Sequence, residues 1–271
     1  GIGNKTLERI KETLLNNEQE KYFSKYNSDL HLESNDIYLG DCLELMNGIK
    51  DKSVDVILCD LPYGTTNRNK WDEVMPFDLL WKQYDRVIKD NGVILLFSDE
   101  PFTSKLICSN LKYFKQRITW DKDRGAGFLN AKKMLLKQTE DICLFYKKLP
   151  TYNPQMIDAQ PDRIRPNSAK GENKSLNYGE VKELHNSKGY DNTKRYPTNL
   201  IKFSSMIGDC NNLNRLHPTQ KPVELLEWLI KTYTNEGDLV LDNCIGSGST
   251  AIACINTDRQ FIGIEKEKEY Y

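Results

Sequence analysis

An acid and an aromatic ring at the end of one apolar run carry the first chemical signal. Residues 54–72 read VDVILCDLPYGTTNRNKWD, and the branched apolar stretch breaks abruptly into Cys59-Asp60-Leu61-Pro62-Tyr63-Gly64. A strand that delivers a carboxylate and a tyrosine together can grip a flat polar ligand, the acid by accepting hydrogen bonds and the ring by its face. Proline and glycine also end strands for structural reasons alone, and a tyrosine can cap a core edge. The rest of the chain decides between these.

A second constellation lies near the far end. In LVLDNCIGSGSTAIACI, Gly246 and Gly248 stand between an apolar strand and a helix, with Asp242 before them and Ser247 between them. Glycines there let a backbone approach a ligand closely, and the following helix offers unpaired N–H groups. The next strand ends in Glu265, an acid placed to accept hydrogen bonds from both hydroxyls of a ribose. Strand, glycine loop, helix, strand and acid in register indicate an adenosine-type cofactor. Ala251 at the third glycine position is permitted by the dinucleotide fingerprint, so this motif alone leaves NAD open. Asp41, between DIYLG and CLEL, could reach the same crevice; it also reads as an ordinary helix cap worth ~1 kcal/mol.

These residues need a scaffold. SVDVILC and NGVILLFS read as strands around the helix FDLLWKQYDRVIK; EPFTSKLICSNL reads as a helix, and KQRITW and EDICLFYK as strands. Apolar strands alternating with helices, without strict period-two polarity, predict a mostly parallel, Rossmann-like α/β sheet covered by helices on both faces. Leu7, Ile10 and Leu14 predict an N-terminal amphipathic helix over 4–21. From about residue 150 the pattern breaks into Asn-, Lys-, Gly- and Tyr-rich sequence, and it resumes at HPTQKPVELLEWLIKTYT, where Pro222 suits a first helical turn. Tyr152, Tyr178, Tyr190, Tyr196 and Phe203 give the break more aromatic residues than disorder usually carries, so it is expected to be irregular but partly ordered. The organisation expected is an N-terminal extension (1–33), two halves of one domain (34–149 and 214–271) and an insertion (150–213).

Composition narrows the partners. With 38% hydrophobic and 28% charged residues, the chain has a real core and a soluble surface. No apolar run approaches the ~20 residues of a membrane span, and the polar start is not a signal peptide, so a cytoplasmic protein is expected. Seven cysteines with no C-x-x-C pair read as free thiols, with Cys59, Cys143 and Cys254 buried, and three scattered histidines speak against a zinc site. Residues 105–221 hold 22 basic against 11 acidic residues, whereas the remainder holds 16 against 28. A basic centre between acidic ends is the footprint of a phosphate-facing region. Lys122, Arg124, Lys132 and Lys133, in WDKDRGAGFLNAKK, are its candidate phosphate contacts; Trp71 and Asp72 carry no assignment.

Taken together, CDLPYG, HPTQKPVELLEWLI, LDNCIGSGST and FIGIEKEKEYY resemble the β group of S-adenosylmethionine-dependent DNA amino-methyltransferases, which methylate adenine N6 or cytosine N4. The motif order, with Asp-Leu-Pro-Tyr first and the glycine loop last, is that group's permuted order. The resemblance spans roughly 34–149 and 214–271. It implies a catalytic tetrapeptide Asp60, Leu61, Pro62 and Tyr63. It also implies a cofactor loop of Asp242, Gly246, Ser247 and Gly248, with Glu265 on the ribose and Asp41 near the adenine amino group. His217, Thr219 and Lys221 would lie beside the methionine end, and the insertion would recognise the DNA target.

Leu61 departs from the family, which usually has proline there. Only a backbone carbonyl is needed at that place, so chemistry is expected to survive with a looser loop. The sequence ends at Tyr271, where the family commonly continues into another helix, a difference expected to bear on stability more than activity. Asp at position 60 favours adenine N6 over cytosine N4. An RNA methyltransferase and an inactive cofactor-binding DNA module are the weaker alternatives. The implied partner is double-stranded DNA, with no membrane and no metal; a homodimer and a cognate restriction endonuclease are compatible, and the source would be bacterial or phage.

Overall fold

The computed structural model describes residues 30–64, 73–161, 164, 191–205, 220–269 and 271, with the backbone of 174–175 and 179–180. The expected helix over 4–21, His217, Thr219, Trp71, Asp72, Tyr178 and Tyr190 lie outside these.

An eight-stranded sheet organises the main unit. Its strands are β1 (Asp36–Leu39), β2 (Val54–Asp60), β3 (Ile88–Ser98), β4 (Phe114–Ala126), β5 (Lys137–Tyr146), β6 (Leu200–Lys202), β7 (Leu239–Asp242) and β8 (Gln260–Glu265). Across the sheet they run β1-β8-β7-β2-β3-β5-β4-β6. Every pairing from β1 through to β3 is parallel, as is β4 with β6; β5 alone runs antiparallel to both its neighbours. The late strand β7 therefore inserts beside β2, with Val240 opposite Val56 and Leu241 opposite Ile57. That pairing brings the ends of β2, β7, β8 and β1 to one rim, where open α/β sheets bind ligands.

Both sheet faces are apolar, which explains why the strands lack clean alternation. Ile57, Cys59, Ile94, Leu96, Cys143, Phe145, Leu241 and Ile264 join one core with α2 (Phe77–Val87) and α3 (Phe102–Ser109), through Leu80, Tyr84, Val87, Phe102 and Leu106. Val56, Leu58, Val93, Leu95, Ile142, Leu144 and Val240 join the other, under α4 (Val223–Tyr233) and α5 (Ser249–Asn256), through Leu225, Leu229, Ile230 and Ala253. Each valine, leucine, isoleucine and phenylalanine among them contributes roughly 1.5–3 kcal/mol when fully buried. Cys59, Cys143 and Cys254 are buried free thiols, as expected.

Three local differences from the sequence-based expectation have physical causes. Helix α2 stops at Val87 because Ile88 turns extended and pairs with Val54 of β2; the strand then bulges through Asn91-Gly92 before Val93 rejoins at Val56. Gly92 is required in that bulge, since a Cβ there would lie 2.8 Å from the Asp55 carbonyl oxygen. Pro222 is the capping residue before α4, not its first turn, and its carbonyl accepts from Leu225 and Leu226. The expected insertion is narrower: Leu200–Lys202 forms β6 of the main sheet, and the separate compact unit is Pro154–Thr198. Among its described residues are two short antiparallel ladders, Ile157–Asp158 with Lys194–Arg195 and Lys174–Ser175 with Gly179–Glu180.

Candidate active site

At the end of β2 the carboxylate of Asp60 is fixed by donors from two directions. The Tyr63 hydroxyl donates to Asp60 Oδ1 at 2.7 Å, and Lys221 Nζ donates to Oδ2 at 2.6 Å. The Tyr63 ring stacks on Phe102 of α3, centroids 5.1 Å apart. Leu61 is seated firmly beneath the turn. Its side chain is buried in the core beneath, which supplies by packing the restraint that a proline would supply by its ring.

Glu140, on β5, is the residue that sequence reasoning missed. It is buried and receives three donors: Tyr63 Oη at 3.1 Å and Lys221 Nζ at 3.0 Å on Oε1, and Lys122 Nζ at 2.7 Å on Oε2. Lys221 also lies 5.0 Å from the centre of the Phe97 ring, and Lys122 5.4 Å from that of Trp120. The charges set one another. Burial alone would raise the Glu140 carboxyl, but Lys221 and Lys122 outweigh it and hold it at about 2. Burial alone would lower Lys221, but Asp60 and Glu140 raise it above its ordinary value. Asp60 is raised, chiefly by burial and then by Glu140, with Lys221 and Tyr63 opposing. Tyr63 is raised by burial and by both carboxylates, so it stays a hydrogen-bond donor.

Two of the candidate residues take their places in this cluster. Lys122 was expected on phosphate, but it is largely enclosed and its amine is spent on Glu140. Lys221, expected beside the methionine end of the cofactor, lines the same cavity, where its ammonium bridges Asp60 and Glu140. Arg124, two residues further along β4, lines the cavity mouth, whereas Lys132 and Lys133 are exposed on the β4–β5 hairpin and do not line it. No linear signal marked Glu140. An acid at the start of a strand reads as a surface residue until the strand's antiparallel direction is known, and it is that direction that sets Glu140 opposite Trp120.

The glycine loop forms the opposite wall. Asp242 ends β7, accepting from the Cys244 amide at 3.1 Å and the Thr250 hydroxyl at 2.6 Å; burial pushes its carboxyl up to about 6. Gly246 and Gly248 adopt φ of 51° and 77°, the left-handed conformation that glycine takes without strain. The Gly246 amide donates to Glu265 Oε2 at 2.8 Å, and the Glu267 amide to Oε1 at 2.8 Å. Ile245 covers Gly263 of β8 so closely that a Cβ there would meet its Cδ1 at 2.5 Å. Asp41 does cap the short helix α1 (Cys42–Leu45), its Oδ1 accepting from Leu43 at 2.9 Å, and it also lines the cavity.

One cavity of about 660 Å³ joins the walls, lined by Asp60, Tyr63, Glu140 and Lys221 on one side and Asp41, Asp242, Gly246, Ser247 and Glu265 on the other. That is the scale of a small-molecule site. The family described as DNA methylase, of the N6/N4 type, matches residues 54–271. The chain belongs to the N6/N4 DNA methyltransferases. These are the β-group, S-adenosylmethionine-dependent amino-methyltransferases that the permuted motifs resemble.

Relatives and solved structures agree with that membership. The type II methyltransferase M1.MboII of Moraxella bovis is 32% identical over 261 residues, covering 88% of this chain and 94% of that protein. The DNA adenine methyltransferase YhdJ of Escherichia coli (strain K12) is 30% identical over 252 residues, covering 88% and 80%. The M1.HpyAVI–SAM complex has a TM-score of 0.56 at 28% identity, covering 86% of this chain and 94% of that one. The cytosine-N4-specific PvuII DNA methyltransferase, at 16% identity, shares the fold with a TM-score of 0.61, covering 89% and 84%. The methyltransferase's cavity fits the cofactor of its family: carboxylates on adjacent strand ends suit amine and hydroxyl donors, and the glycine loop leaves room for close backbone approach. Among the described residues no helix is long and apolar enough to cross a membrane, and no three His, Cys, Asp or Glu side chains are grouped to hold a metal ion.

Proposed function

We propose that this methyltransferase acts on N6 of an adenine flipped out of double-stranded DNA. The observation that carries the reading is the shared cavity, in which Asp60 and Tyr63 face the glycine loop and Glu265. An exocyclic amine is a poor nucleophile because its lone pair is delocalised into the ring. Acceptors around the amino hydrogens favour the pyramidal form, which frees the lone pair. Asp60 and the Leu61 carbonyl are those acceptors, and Tyr63, backed by Phe102, stacks on the base for ~1–3 kcal/mol. Bound S-adenosylmethionine supplies the methyl group on a sulfonium, so the protein's task is positioning and directed electrostatics. Flipping the base costs a few kcal/mol.

On the cofactor side, Glu265 takes the ribose hydroxyls and Asp41 the adenine amine, while Asp242, Gly246, Ser247 and Gly248 shape the loop; His217 and Thr219 complete the set. Arg124, Lys132 and Lys133 contact phosphate, and the insertion, whose separate unit is Pro154–Thr198, recognises the target sequence. Asp60 in place of serine favours adenine. Cytosine N4 is the second reading, because the family includes both and the two amines present the same chemistry. A cytoplasmic enzyme, a homodimer and a companion restriction endonuclease accompany this reading, the last supported by type II relatives. The test is methyl transfer from labelled S-adenosylmethionine to unmethylated plasmid, with digestion to nucleosides and mass spectrometry. N6-methyladenosine is expected; N4-methylcytosine would overturn the base assignment and keep the mechanism, and unlabelled DNA would overturn the function.

A further inference from the structure

Tyr63 and Lys221 are each shared between two carboxylates. The Tyr63 hydroxyl lies 2.7 Å from Asp60 Oδ1 and 3.1 Å from Glu140 Oε1; Lys221 Nζ lies 2.6 Å from Asp60 Oδ2 and 3.0 Å from the same Glu140 oxygen. Both oxygens of Asp60 are therefore engaged by groups of the protein itself. An amine entering the cavity needs one of them. If Asp60 turned toward it with no second acceptor nearby, a buried hydroxyl and a buried ammonium would lose their partner, which is costly in a low-dielectric site.

We propose that Glu140 is the second acceptor: a positioning residue that keeps Tyr63 and Lys221 bound and in place while Asp60 accepts the target amine. This rests on the methyl-transfer reading. Glu140 touches neither base nor cofactor in this role. It is itself anchored by Lys122, whose amine occupies its other oxygen at 2.7 Å. The cluster thus holds two carboxylates and two ammonium groups in balance, and Lys221 does not have to be satisfied by Asp60 alone.

The test is Glu140→Gln, which keeps the shape and removes the charge. Single-turnover methyl transfer, KM for DNA, cofactor binding and the pH profile are measured beside the parent enzyme. The rate is expected to fall roughly tenfold to a hundredfold, the scale of a lost hydrogen bond between charged groups. Cofactor binding and KM are expected to stay within about twofold, because no contact to either ligand changes. The acid limb of the rate should also move to lower pH. Asp60 faces Lys221, Tyr63 and Glu140 directly, with Lys122 behind Glu140, Cys59 before Asp60 on β2 and Asp242 at the end of neighbouring β7; removing Glu140 takes away a like charge and leaves Lys221 to Asp60. A purely structural role would not move that limb. Should E140Q fail to fold, the charge-balanced pair E140Q with K122Q must show the same loss. Parent activity with an unaltered rate and pH profile in E140Q overturns the role of Glu140 alone, whereas a parent enzyme that transfers no methyl to DNA overturns the function beneath it.

Discussion

Lys221 Nζ lies 2.6 Å from Asp60 Oδ2, joining two motifs 161 positions apart in the chain. One motif ends a strand, and the other precedes α4, so the contact fastens that helix's start to the sheet rim. The pair is largely enclosed, with side-chain exposures of 10% and 19%, and Glu140 takes the same ammonium at 3.0 Å.

Replacing that cation leaves two buried carboxylates facing each other. Lys221→Met is expected to lose about 3–5 kcal/mol of stability, the usual result of removing one partner from a buried pair. Lys221→Arg, which keeps the charge, should lose less. Urea denaturation of the three proteins measures this, and a K221M variant as stable as its parent would show that the ammonium is not what holds Asp60 and Glu140 together.

The same cluster predicts a pH signature. Glu140 is held at about 2 against an ordinary value of 4.5, so its folded form is the stronger acid. Its stabilisation is present above pH 4.5 and is lost as pH falls toward 2, because the unfolded chain then binds the proton first. The stability difference between parent and Glu140→Gln is therefore expected to be largest near neutrality and to close across that acidic window. Denaturation midpoints followed from neutral pH down into that window measure it, and a gap independent of pH would place the origin in packing.

Two glycines separate backbone strain from crowding. Gly248 has φ 77°, and a Cβ on it would meet nothing within 4 Å. Gly248→Ala should cost the protein the left-handed conformation, about 1–2 kcal/mol of stability, without crowding any protein atom. On Gly263 a Cβ would strike Ile245, which lines the cavity and whose amide donates to the Ile264 carbonyl at 2.9 Å. Gly263→Ala should shift the glycine loop, costing about 1–3 kcal/mol by overpacking and weakening cofactor binding as well. Thermal melts measure both costs and calorimetric titration measures the second effect; a Gly263→Ala variant that binds the cofactor as its parent does would mean that Ile245 does not control the loop.

Much of the site was legible because each parallel strand carries its functional residue at its own tip. Asp60, Asp242 and Glu265 each follow an apolar run directly, so local pattern alone finds them. Which tips meet is a matter of sheet order, and β7 pairing with β2 is non-local; here the motif resemblance supplied what periodicity does not. Glu140 was hidden because it enters the rim from an antiparallel strand. The pairing of Lys122 with Glu140 was hidden because a lysine in a basic stretch bears no mark of the buried acid beside it. The early end of α2 depended on Ile88 finding Val54, a contact that no helical period reports.

Methyl transfer at the tip of β2, inside the cofactor's own cavity, stands or falls with Asp60→Ala. Transfer to DNA and S-adenosylmethionine binding are measured on the same preparation of that variant. Transfer is expected to fall by at least about a hundredfold, as for removal of a group aimed at the reacting centre, while the cofactor still binds through the far wall. Transfer at the parent rate with binding intact would contradict a reaction centred on Asp60.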